Sequence, residues 1–277
     1  MLKSYFNIEL LPLSTTTINL LKLNPQSSSF SSSLIEEIIL PDQSFCIEVL
    51  KLANSSLYAQ SRTIAHLKDA ITLIGFKTLK NFALMLSTKD ALGRIKLETT
   101  QKYLCELPIV SAIISQELTM EANLKSIKED VFIACLLKSF SMTLFALKEP
   151  LKYDDIIKKH KNYNELKILE KEIFSIDHEQ LSKKLFEYYE LPKSLIENLE
   201  ELNTTKIKDH NVILLREMAY HLGKQFLEIP ISRDDDIRKI IQTKLNIDDK
   251  KLENIEANLE QKVKPHPFYQ MIISENK

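Results

Sequence analysis

The sequence predicts an all-α protein. It has only three glycines among 277 residues, and it lacks the apolar–polar alternation between turn residues that half-buried strands show. Apolar residues recur instead at spacings of three and four, which is typical of helices that bury one face. The longest apolar run, 131–137, continues as an apolar segment to Leu147. We therefore expect a helix over Asp130–Leu147 in the middle of the core.

Composition indicates an ordinary globular chain and excludes several classes of function. The net charge is −1, with 44% apolar and 27% charged residues, so no bulk field attracts nucleic acid or an anionic membrane. The scarcity of glycine excludes a phosphate-binding P-loop, a dinucleotide fingerprint and the nucleophile elbow of the α/β-hydrolases. We expect neither nucleic-acid binding nor membrane insertion.

The cysteines and the first residues suggest a compartment. Cys46, Cys105 and Cys135 each lie among apolar residues, and an odd number cannot all be paired, so we interpret them as small core residues in a reducing compartment. The N-terminus lacks the apolar stretch of a signal peptide. No run approaches the roughly 18 apolar residues that span a bilayer. The prediction is a cytoplasmic protein.

The first helices are indicated by their capping residues. Ser14 is suited to cap a helix whose apolar positions begin at Ile18. The polar stretch 24–33 is interpreted as a loop, after which Ser33 and Glu36 match a capping box. Pro41 and Asp42 then end that helix and begin the next.

Later breaks are indicated by single residues. Asn54 is predicted to end its helix in a left-handed conformation, which asparagine tolerates better than most residues. Gly75 lies between two helical stretches and suggests a sharp bend or a close helix crossing. Pro108 lies inside a helical stretch over 98–120 and predicts a kink at 104–107.

The remaining chain continues the helical pattern. Asp177 is suited to cap a helix with Gln180 at its third position, and Pro192 ends that helix. The inward positions predicted for the later helices are Leu166, Leu169 and Ile173; Leu181, Leu185 and Tyr188; Val212, Leu215, Ala219, Leu222 and Phe226; and Leu252, Ile255, Leu259 and Val263.

Several of these segments together resemble the HDOD family, bacterial signalling domains related to the HD-domain phosphohydrolases. The matching segments are Leu10–Leu13, Leu50–Tyr58 (LKLANSSLY, like the family's L-x-L-A-N-S-x-x-Y), Ala70–Gly75, Asp177–His178 and Leu191–Pro192, with Gly223 at a matching place beyond them. The resemblance covers 8–202. It implies an HD-like multi-helix bundle over 8–202, with 203–277 as a C-terminal helical extension packed on it.

The resemblance also implies where a metal would be bound, and the residues there are unsuitable. Metal-dependent HD enzymes use a histidine, an adjacent His-Asp pair and a further carboxylate. Laid against that pattern, the first histidine corresponds to about Leu107, and the pair corresponds to Lys138 and Ser139. An ammonium repels a divalent cation and serine brings no charge. We therefore expect no metal, no cofactor and no catalysis.

The candidate site residues each have a structural interpretation as well as a functional one. Asn54 and Ser55 could bind a ligand, but a helix C-cap and turn is favoured; Tyr58 is interpreted as a packing residue, and Gly75 as a bend. Asp177 and His178 pair the two residue types of the HD motif, yet a helix cap and a first-turn residue are the favoured interpretations. For Lys138, beside Ser139, we expect a buried stem with the ammonium reaching solvent, in preference to a catalytic lysine of lowered pKa.

The expected function is a non-enzymatic regulatory module of a bacterial signalling pathway, which binds a protein segment or a small ligand. Protein partners are expected because no partner domain is fused within the sequence. Two alternatives stay open. One is a metal-dependent phosphohydrolase with a rearranged site, and the other is a helical protein that binds nucleic acid.

Overall fold

The computed structural model describes residues 13–55, 58, 63–199, 211–231 and 235–273. Helices make up 76% of the chain, and no strand occurs among the described residues, which confirms the all-α prediction. The α-helices are α1 Thr15–Lys22, α2 Ser32–Ile39, α3 Gln43–Ala53, α4 Leu67–Ile74, α5 Phe76–Leu92, α6 Glu98–Gln101, α7 Leu107–Glu121, α8 Lys128–Lys138, α9 Met142–Lys148, α10 Pro150–Lys159, α11 Tyr163–Phe174, α12 His178–Tyr188, α13 Lys193–Glu197, α14 Asn211–Phe226, α15 Asp235–Leu245, α16 Asp249–Val263 and α17 Pro267–Ile273.

Two of the three caps predicted for the first three helices are confirmed. Ser14 accepts the amide of Thr17 at the start of α1, and Asp42 accepts the amide of Phe45 at the start of α3. The predicted capping box of Ser33 and Glu36 is wrong. Helix α2 begins two residues earlier, where the Ser31 side chain accepts the amide of Leu34, because several serines in this stretch could serve as the cap and sequence alone does not rank them.

The break at Gly75 is a bend and not a close crossing. Gly75 ends α4 and begins α5 with φ +80°, a conformation that L-residues rarely adopt. A Cβ built there would meet no atom within 4 Å. The backbone conformation therefore requires glycine at this position, whereas the packing around it does not.

Of the matching Leu10–Leu13 segment, Leu13 is buried, whereas residues 10–12 lie outside the described residues.

The irregularity predicted before Pro108 is confirmed. A π-helical turn, Lys102–Glu106, connects α6 to α7, and Pro108 lies in the first turn of α7. Proline has no backbone N–H to donate, and an N–H in the first turn of a helix has no partner within that helix in any case. Pro108 is therefore tolerated in this position, and α7 begins after the irregular turn.

The predicted helix Asp130–Leu147 is buried but is not continuous. Helix α8 ends at Lys138, a turn follows, and α9 begins at Met142. Two serines cause the interruption: the Ser141 hydroxyl donates to the His178 carbonyl at 2.7 Å, and Ser139 is the C-cap of α8. The Ser141 bond reaches a carbonyl 37 residues away, so a tertiary contact and not a local cap accompanies the break. The apolar pattern predicted burial correctly but could not reveal the break.

Three helices, α7, α8 and α14, form the centre of the core. Residues 131–137 of α8 are all buried, and Leu215 and Leu222 of α14 are fully buried against α7 and α8. Helix α14 thus belongs to the central packing, although it lies beyond residue 202. The predicted division of the chain into 8–202 and 203–277 stays a prediction, and its boundary falls outside the described residues.

The inward faces of the outer helices are partly as predicted. Leu252, Ile255, Leu259 and Val263 are the buried residues of α16, so this apolar face docks on the protein's own core. In α11, however, Ile173 is exposed, and Glu170 is buried together with Leu166 and Phe174. In α12 Tyr188 is exposed, whereas His178 is buried together with Leu181, Leu185 and Phe186. An apolar pattern does not mark a buried carboxylate or a buried histidine.

The cysteines are free and the most apolar segment lies inside the protein. All three cysteines are free; Cys105 and Cys135 are buried and Cys46 is partly buried. Lys125–Lys148 is long and apolar enough to cross a membrane, which corrects the expectation that no segment approaches this length. Of its apolar window, 83% is buried inside the protein, as in a core helix. The cytoplasmic location stays a prediction.

Candidate functional site

Lys138 ends α8 and forms a buried ion pair. Its Nζ lies 2.6 Å from Oε1 and 2.5 Å from Oε2 of Glu217, and the lysine side chain is only 8% exposed. The expectation that this ammonium reaches solvent is therefore wrong, because a carboxylate on α14 meets it inside the protein. The single pair links two of the three central helices.

Arg216, next to Glu217 on α14, supplies a second cation. Its Nε and Nη2 donate to Glu217 Oε1 at 3.1 and 2.7 Å, and its Nη1 donates to the Asn198 carbonyl at 2.5 Å. The Arg216 side chain is fully buried. One carboxylate is thus held between two cations, so the group as a whole carries one positive charge.

Burial and the ion pairs have opposite effects on the pKa values of this group. Burial would raise the pKa of Glu217, but Lys138 and Arg216 outweigh it and bring that pKa to about 2. Burial lowers the pKa of Lys138 to about 8, although Glu217 opposes this shift. At neutral pH the three groups are accordingly charged, and the lysine is the one nearest to losing its proton.

Two tyrosine rings complete the surroundings of the Lys138 ammonium. Its Nζ lies 4.4 Å from the ring centroid of Tyr163 and 4.7 Å from that of Tyr220, distances at which a cation is attracted to the ring face. The Tyr220 hydroxyl donates to the Cys135 carbonyl at 2.9 Å and lies 3.3 Å from Ser139 Oγ. We call Lys138, Arg216, Glu217, Tyr163 and Tyr220 the Lys138 cluster.

His178 lies next to the Lys138 cluster, in a second buried polar group. Its Nδ1 is 2.6 Å from Glu170 Oε2, and its amide donates to the same oxygen at 2.8 Å. The Tyr153 hydroxyl donates to Glu170 Oε1 at 2.5 Å. The rings of His178 and Tyr163 pack edge to face, with centroids 5.6 Å apart, which brings the two buried groups together.

The neighbouring residue, Asp177, has the predicted structural role. Its carboxylate accepts the amide of Gln180 at the start of α12 and pairs with Lys171 at 2.9 Å. Asp177 therefore begins a helix, while His178 belongs to the interior.

Leu107, the other position aligned with a metal ligand, is an apolar packing residue. It is fully buried, and a Cβ built on Gly223 would lie 3.0 Å from its Cδ1 and 2.6 Å from Ser111 Oγ. The aligned place is thus filled by the close contact of α7 with α14. Among the described residues, no three His, Cys, Asp or Glu side chains come together where they could hold a metal ion.

The Asn54 segment lies away from the Lys138 cluster. Asn54 Nδ2 donates to the carbonyls of Leu50 and Ile64 at 2.8 and 2.9 Å, and its Oδ1 accepts the Ile64 amide at 2.9 Å. Asn54 is the C-cap of α3, but its φ is −93° and not left-handed. The side-chain bonds to Ile64, and not the backbone conformation, account for an asparagine here.

The other residues of that segment lie near the opposite end of α8. The carbonyl of Ser55 accepts the amide of Tyr58 at 3.1 Å, while residues 56, 57 and 59–62 lie outside the described residues. Burial raises the pKa of the half-buried Tyr58, a hydrogen bond with Thr78 opposes this, and the nearby charge of Glu129 adds to it. Glu129 is in the first turn of α8, whereas Lys138 is its last residue. The candidate residues therefore lie in two separate regions, one near each end of α8.

Three cavities border these regions. The one beside the Lys138 cluster and His178 has a volume of about 70 Å³, enough for a few water molecules and too small for a nucleotide. A groove of about 710 Å³ runs between α1, α3 and α5, and a cavity of about 360 Å³ lies near Tyr103 and Lys224.

Sequence reasoning missed the partners of Lys138 and His178. A signal did exist for two of them: Arg216 and Glu217 lie between the inward-facing Leu215 and Ala219 in an amphipathic helix. Glu170 likewise follows the inward-facing Leu166 by four residues. Nothing in the sequence paired these charges with particular residues of other helices.

Comparison with known proteins gives the same fold. A candidate phosphohydrolase from Shewanella amazonensis is 19% identical, with 99% of this chain and 97% of that chain covered and a TM-score of 0.67. An HDOD domain protein from Geobacter sulfurreducens is 15% identical over 94% and 99% of the two chains, with a TM-score of 0.63. A candidate signal transduction protein from Marinobacter aquaeolei is 18% identical over all of this chain and 61% of that one, with a TM-score of 0.69.

No curated protein matched the sequence. The family model described as HDOD domain matches residues 10–204, which is well over half of the 277 residues and includes both the Asn54 segment and Asp177–His178. The chain belongs to the HDOD domain family.

Proposed function

We propose that this protein is a non-enzymatic regulatory module of a bacterial signalling pathway and acts by binding protein partners. The observation that supports this most is the Lys138–Glu217 pair, since an ammonium lies at the position that corresponds to the His-Asp metal ligands of HD enzymes. An ammonium cannot ligate a metal and repels a divalent cation. Its bond to the Glu217 carboxylate holds the charged form of the lysine at this position at neutral pH.

The names of the structural neighbours agree with two different functions, a regulatory one and an enzymatic one. The signal transduction protein from Marinobacter aquaeolei agrees with a regulatory role, whereas the phosphohydrolase from Shewanella amazonensis leaves the rearranged-site enzyme as the alternative. His178 with Glu170 is the pair around which such a site would have to form. Both groups already bond one another, which argues against their serving as metal ligands.

Metal content and turnover test the absence of catalysis. Purified protein is incubated with Mg²⁺, Mn²⁺ or Fe²⁺ and with phosphomonoester and phosphodiester nucleotides, and bound metal is measured by elemental analysis. We expect no metal in stoichiometric amount and no turnover. Metal-dependent turnover that disappears in His178→Ala would overturn the proposal and establish the phosphohydrolase, while activity equal in both proteins would indicate a contaminant.

The groove between α1, α3 and α5 is the surface that we propose for the partner. Its volume is about 710 Å³, and the side chain of Ile47 on its wall is 54% exposed, with Phe45 buried behind it. Lysine, arginine and carboxylate groups surround the groove. The chemistry fits an amphipathic partner helix that places an apolar stripe in the groove and charged residues of both signs at its edges.

A matched pair of variants tests this surface. Ile47→Glu introduces a charge into the groove, and Ile168→Glu places the same charge on α11, where Ile168 is similarly exposed at 57%. In pull-downs from the native bacterium, we expect a partner to be recovered by the wild type and by Ile168→Glu but not by Ile47→Glu. Equal recovery by all three proteins would reject the groove as the binding surface.

The nucleic-acid alternative needs a separate measurement. Retention of the protein on single- and double-stranded nucleic acid is followed as salt is lowered, because phosphate contacts give a salt dependence that scales with their number. We expect no retention at low salt. Specific, salt-dependent retention would contradict a function through protein partners alone.

A further inference from the structure

A cavity distinct from the Lys138 cluster has the size of a small-molecule site. Its volume is about 360 Å³, and it lies where 98–103, 157–161 and 224–230 meet, at the C-terminal ends of α10 and α14. Small-molecule pockets have volumes of about 300–1,000 Å³. None of its lining residues lines the cavity beside Lys138.

Positive charge dominates the lining of this cavity. Four lysines and two glutamates line it, a difference of two charges, although the whole protein has a net charge of −1. These residues are Lys102, Lys158, Lys161, Lys224, Glu98 and Glu228. Lys158 is paired with Asp154 at 2.6 Å, so one positive charge in excess remains after that pair is removed from the sum. The site therefore favours an anionic ligand.

Helix ends account for only part of this charge. Lys158 and Lys224 lie in the last turns of α10 and α14, where a lysine is favourable without any ligand because it offsets the partial negative charge of the helix end. Lys102 lies in the π-helical turn, and Lys161 lies two residues beyond α10. Lys102 is also the C-cap residue of α6, so Lys161 is the one of the four lysines that no helix end explains.

Polar groups form the floor of the cavity. The Tyr103 hydroxyl lies 3.2 Å from His160 Nε2, and the Lys224 ammonium lies 5.6 Å from the centre of the Tyr103 ring. Burial lowers the pKa of His160, and the charge of Lys224 lowers it further. At neutral pH the histidine is therefore neutral, and Lys224 is the cation beside it. Ile157, Ile229 and Pro230 provide apolar wall beside these groups.

We propose that this cavity binds a small phosphate ester of about the size of a nucleoside monophosphate. The phosphate would lie among Lys102, Lys161 and Lys224, which offer point charges suited to a dianion, and the uncharged part would lie against Ile157, Ile229 and Pro230. This goes beyond the regulatory function proposed above and does not depend on it, since binding here requires neither a metal nor a protein partner.

Tyr163 lies between the cavity and the Lys138 cluster, so a bound ligand could affect that cluster through it. The Tyr163 ring centre lies 5.6 Å from Lys224 Nζ on the side of the cavity and 4.4 Å from Lys138 Nζ in the Lys138 cluster. An anion that attracts Lys224 would weaken its contact with this ring. The ligand would thereby alter the packing beside the buried ion pair.

Calorimetric titration tests the proposal with defined probes. AMP, glucose 6-phosphate and inorganic phosphate are titrated at low salt, with adenosine as the uncharged counterpart. We expect AMP or glucose 6-phosphate to bind, and adenosine to show no binding; the stronger of the two esters identifies a nucleotide or a sugar phosphate. If neither ester binds at about 1 mM, the proposal is wrong.

Variants locate the binding. Lys161→Gln combined with Lys224→Gln should weaken the ester at least about tenfold, whereas Lys250→Gln, an exposed lysine on α16, should leave the affinity unchanged. Circular dichroism checks that the double variant is folded, and equal affinity in a folded double variant would overturn the proposal. Chromatography of the titrated ester separates the two proposals: hydrolysed ester contradicts the non-enzymatic function, whereas intact bound ester supports this site.

Discussion

The ammonium of Lys138 lies within 2.6 Å of both carboxylate oxygens of Glu217, which joins the last residue of α8 to the middle of α14. The side chains of the pair are only 8% and 18% exposed, and Arg216 shares the same carboxylate. Such a pair adds less stability than its short distances suggest, because both charges lose their hydration. Removal of one partner is different, since it leaves buried charge without compensation.

Glu217→Gln should therefore destabilise the protein strongly. Two buried cations would lose their carboxylate, and breaking a buried pair in this way costs about 3–5 kcal/mol of unfolding free energy. Denaturant unfolding of both proteins gives the difference. The matched control is Glu260→Gln, which breaks the exposed pair of Glu260 and Lys264 at 3.0 Å and should cost less than about 1 kcal/mol. Equal losses in the two variants would contradict the burial argument.

The cost of Glu217→Gln should depend on pH. The pKa of Glu217 is about 2 in the folded protein and 4.5 without its surroundings, so between these values the unfolded chain binds a proton that the folded protein does not. The stabilisation by this carboxylate is complete above pH 4.5 and is lost as the pH falls towards 2. Below pH 4.5 the wild type progressively approaches the neutral side chain of the variant.

The difference in unfolding free energy between wild type and Glu217→Gln should therefore shrink as the pH falls from about 5 towards 2. Denaturant unfolding at several pH values measures it. Because all other carboxylates are common to both proteins, their titration cancels in the difference. A difference that stays constant or grows down to about pH 3 would show that the Glu217 carboxylate is not held by Lys138 and Arg216.

Gly223→Ala tests the close contact of α14 with α7. Alanine is the better helix former by about 1 kcal/mol, but its Cβ would lie 2.6 Å from Ser111 Oγ and 3.0 Å from Leu107 Cδ1. Overpacking costs about 1–3 kcal/mol, so we expect a net loss of stability, measured by thermal and denaturant unfolding.

Two further variants separate the crowding from other effects. Adding Ser111→Ala to Gly223→Ala removes the nearer clash and should restore part of the stability. Gly93→Ala is the control, because Gly93 has a helical φ of −59° and a Cβ there meets mainly backbone of its own helix. It should cause no loss. A tolerated Gly223→Ala would mean that α14 can move away from α7 without cost.

The all-α fold and the central burial could be predicted because they depend on local periodicity. The caps at Ser14, Asp42 and Asp177 could be predicted for the same reason, since a cap bonds an amide three residues away. The break at Ser139–Ser141 could not, because it depends on a bond to the His178 carbonyl, 37 residues away. The cap at Ser31 was missed because neighbouring serines gave equal local signals.

The Lys138 cluster could be predicted only in part. The sequence marked Lys138 as unusual, since a lysine ends a fully apolar run. Whether its ammonium reaches solvent depends on Glu217, 79 residues later, and no local pattern specifies which face of α14 meets α8. The same limit applies to His178, whose partner Glu170 lies in the preceding helix and could be recognised only once α11 and α12 were placed side by side.

Asn54→Ala should loosen the attachment of Ile64 to the C-terminal end of α3. The asparagine side chain bonds both the amide and the carbonyl of Ile64, and loss of bonds to a part-buried backbone costs about 1–3 kcal/mol. We expect the Ile64 amide to exchange with deuterium faster in the variant while the buried amides of α8 keep their protection, because the effect is local.

Asn258→Ala on α16 is the matched control, since Asn258 bonds the carbonyl and side chain of Asn254 in its own helix. Unchanged exchange at Ile64 in Asn54→Ala would show that the side-chain bonds do not hold this segment, and that the asparagine is present for another reason.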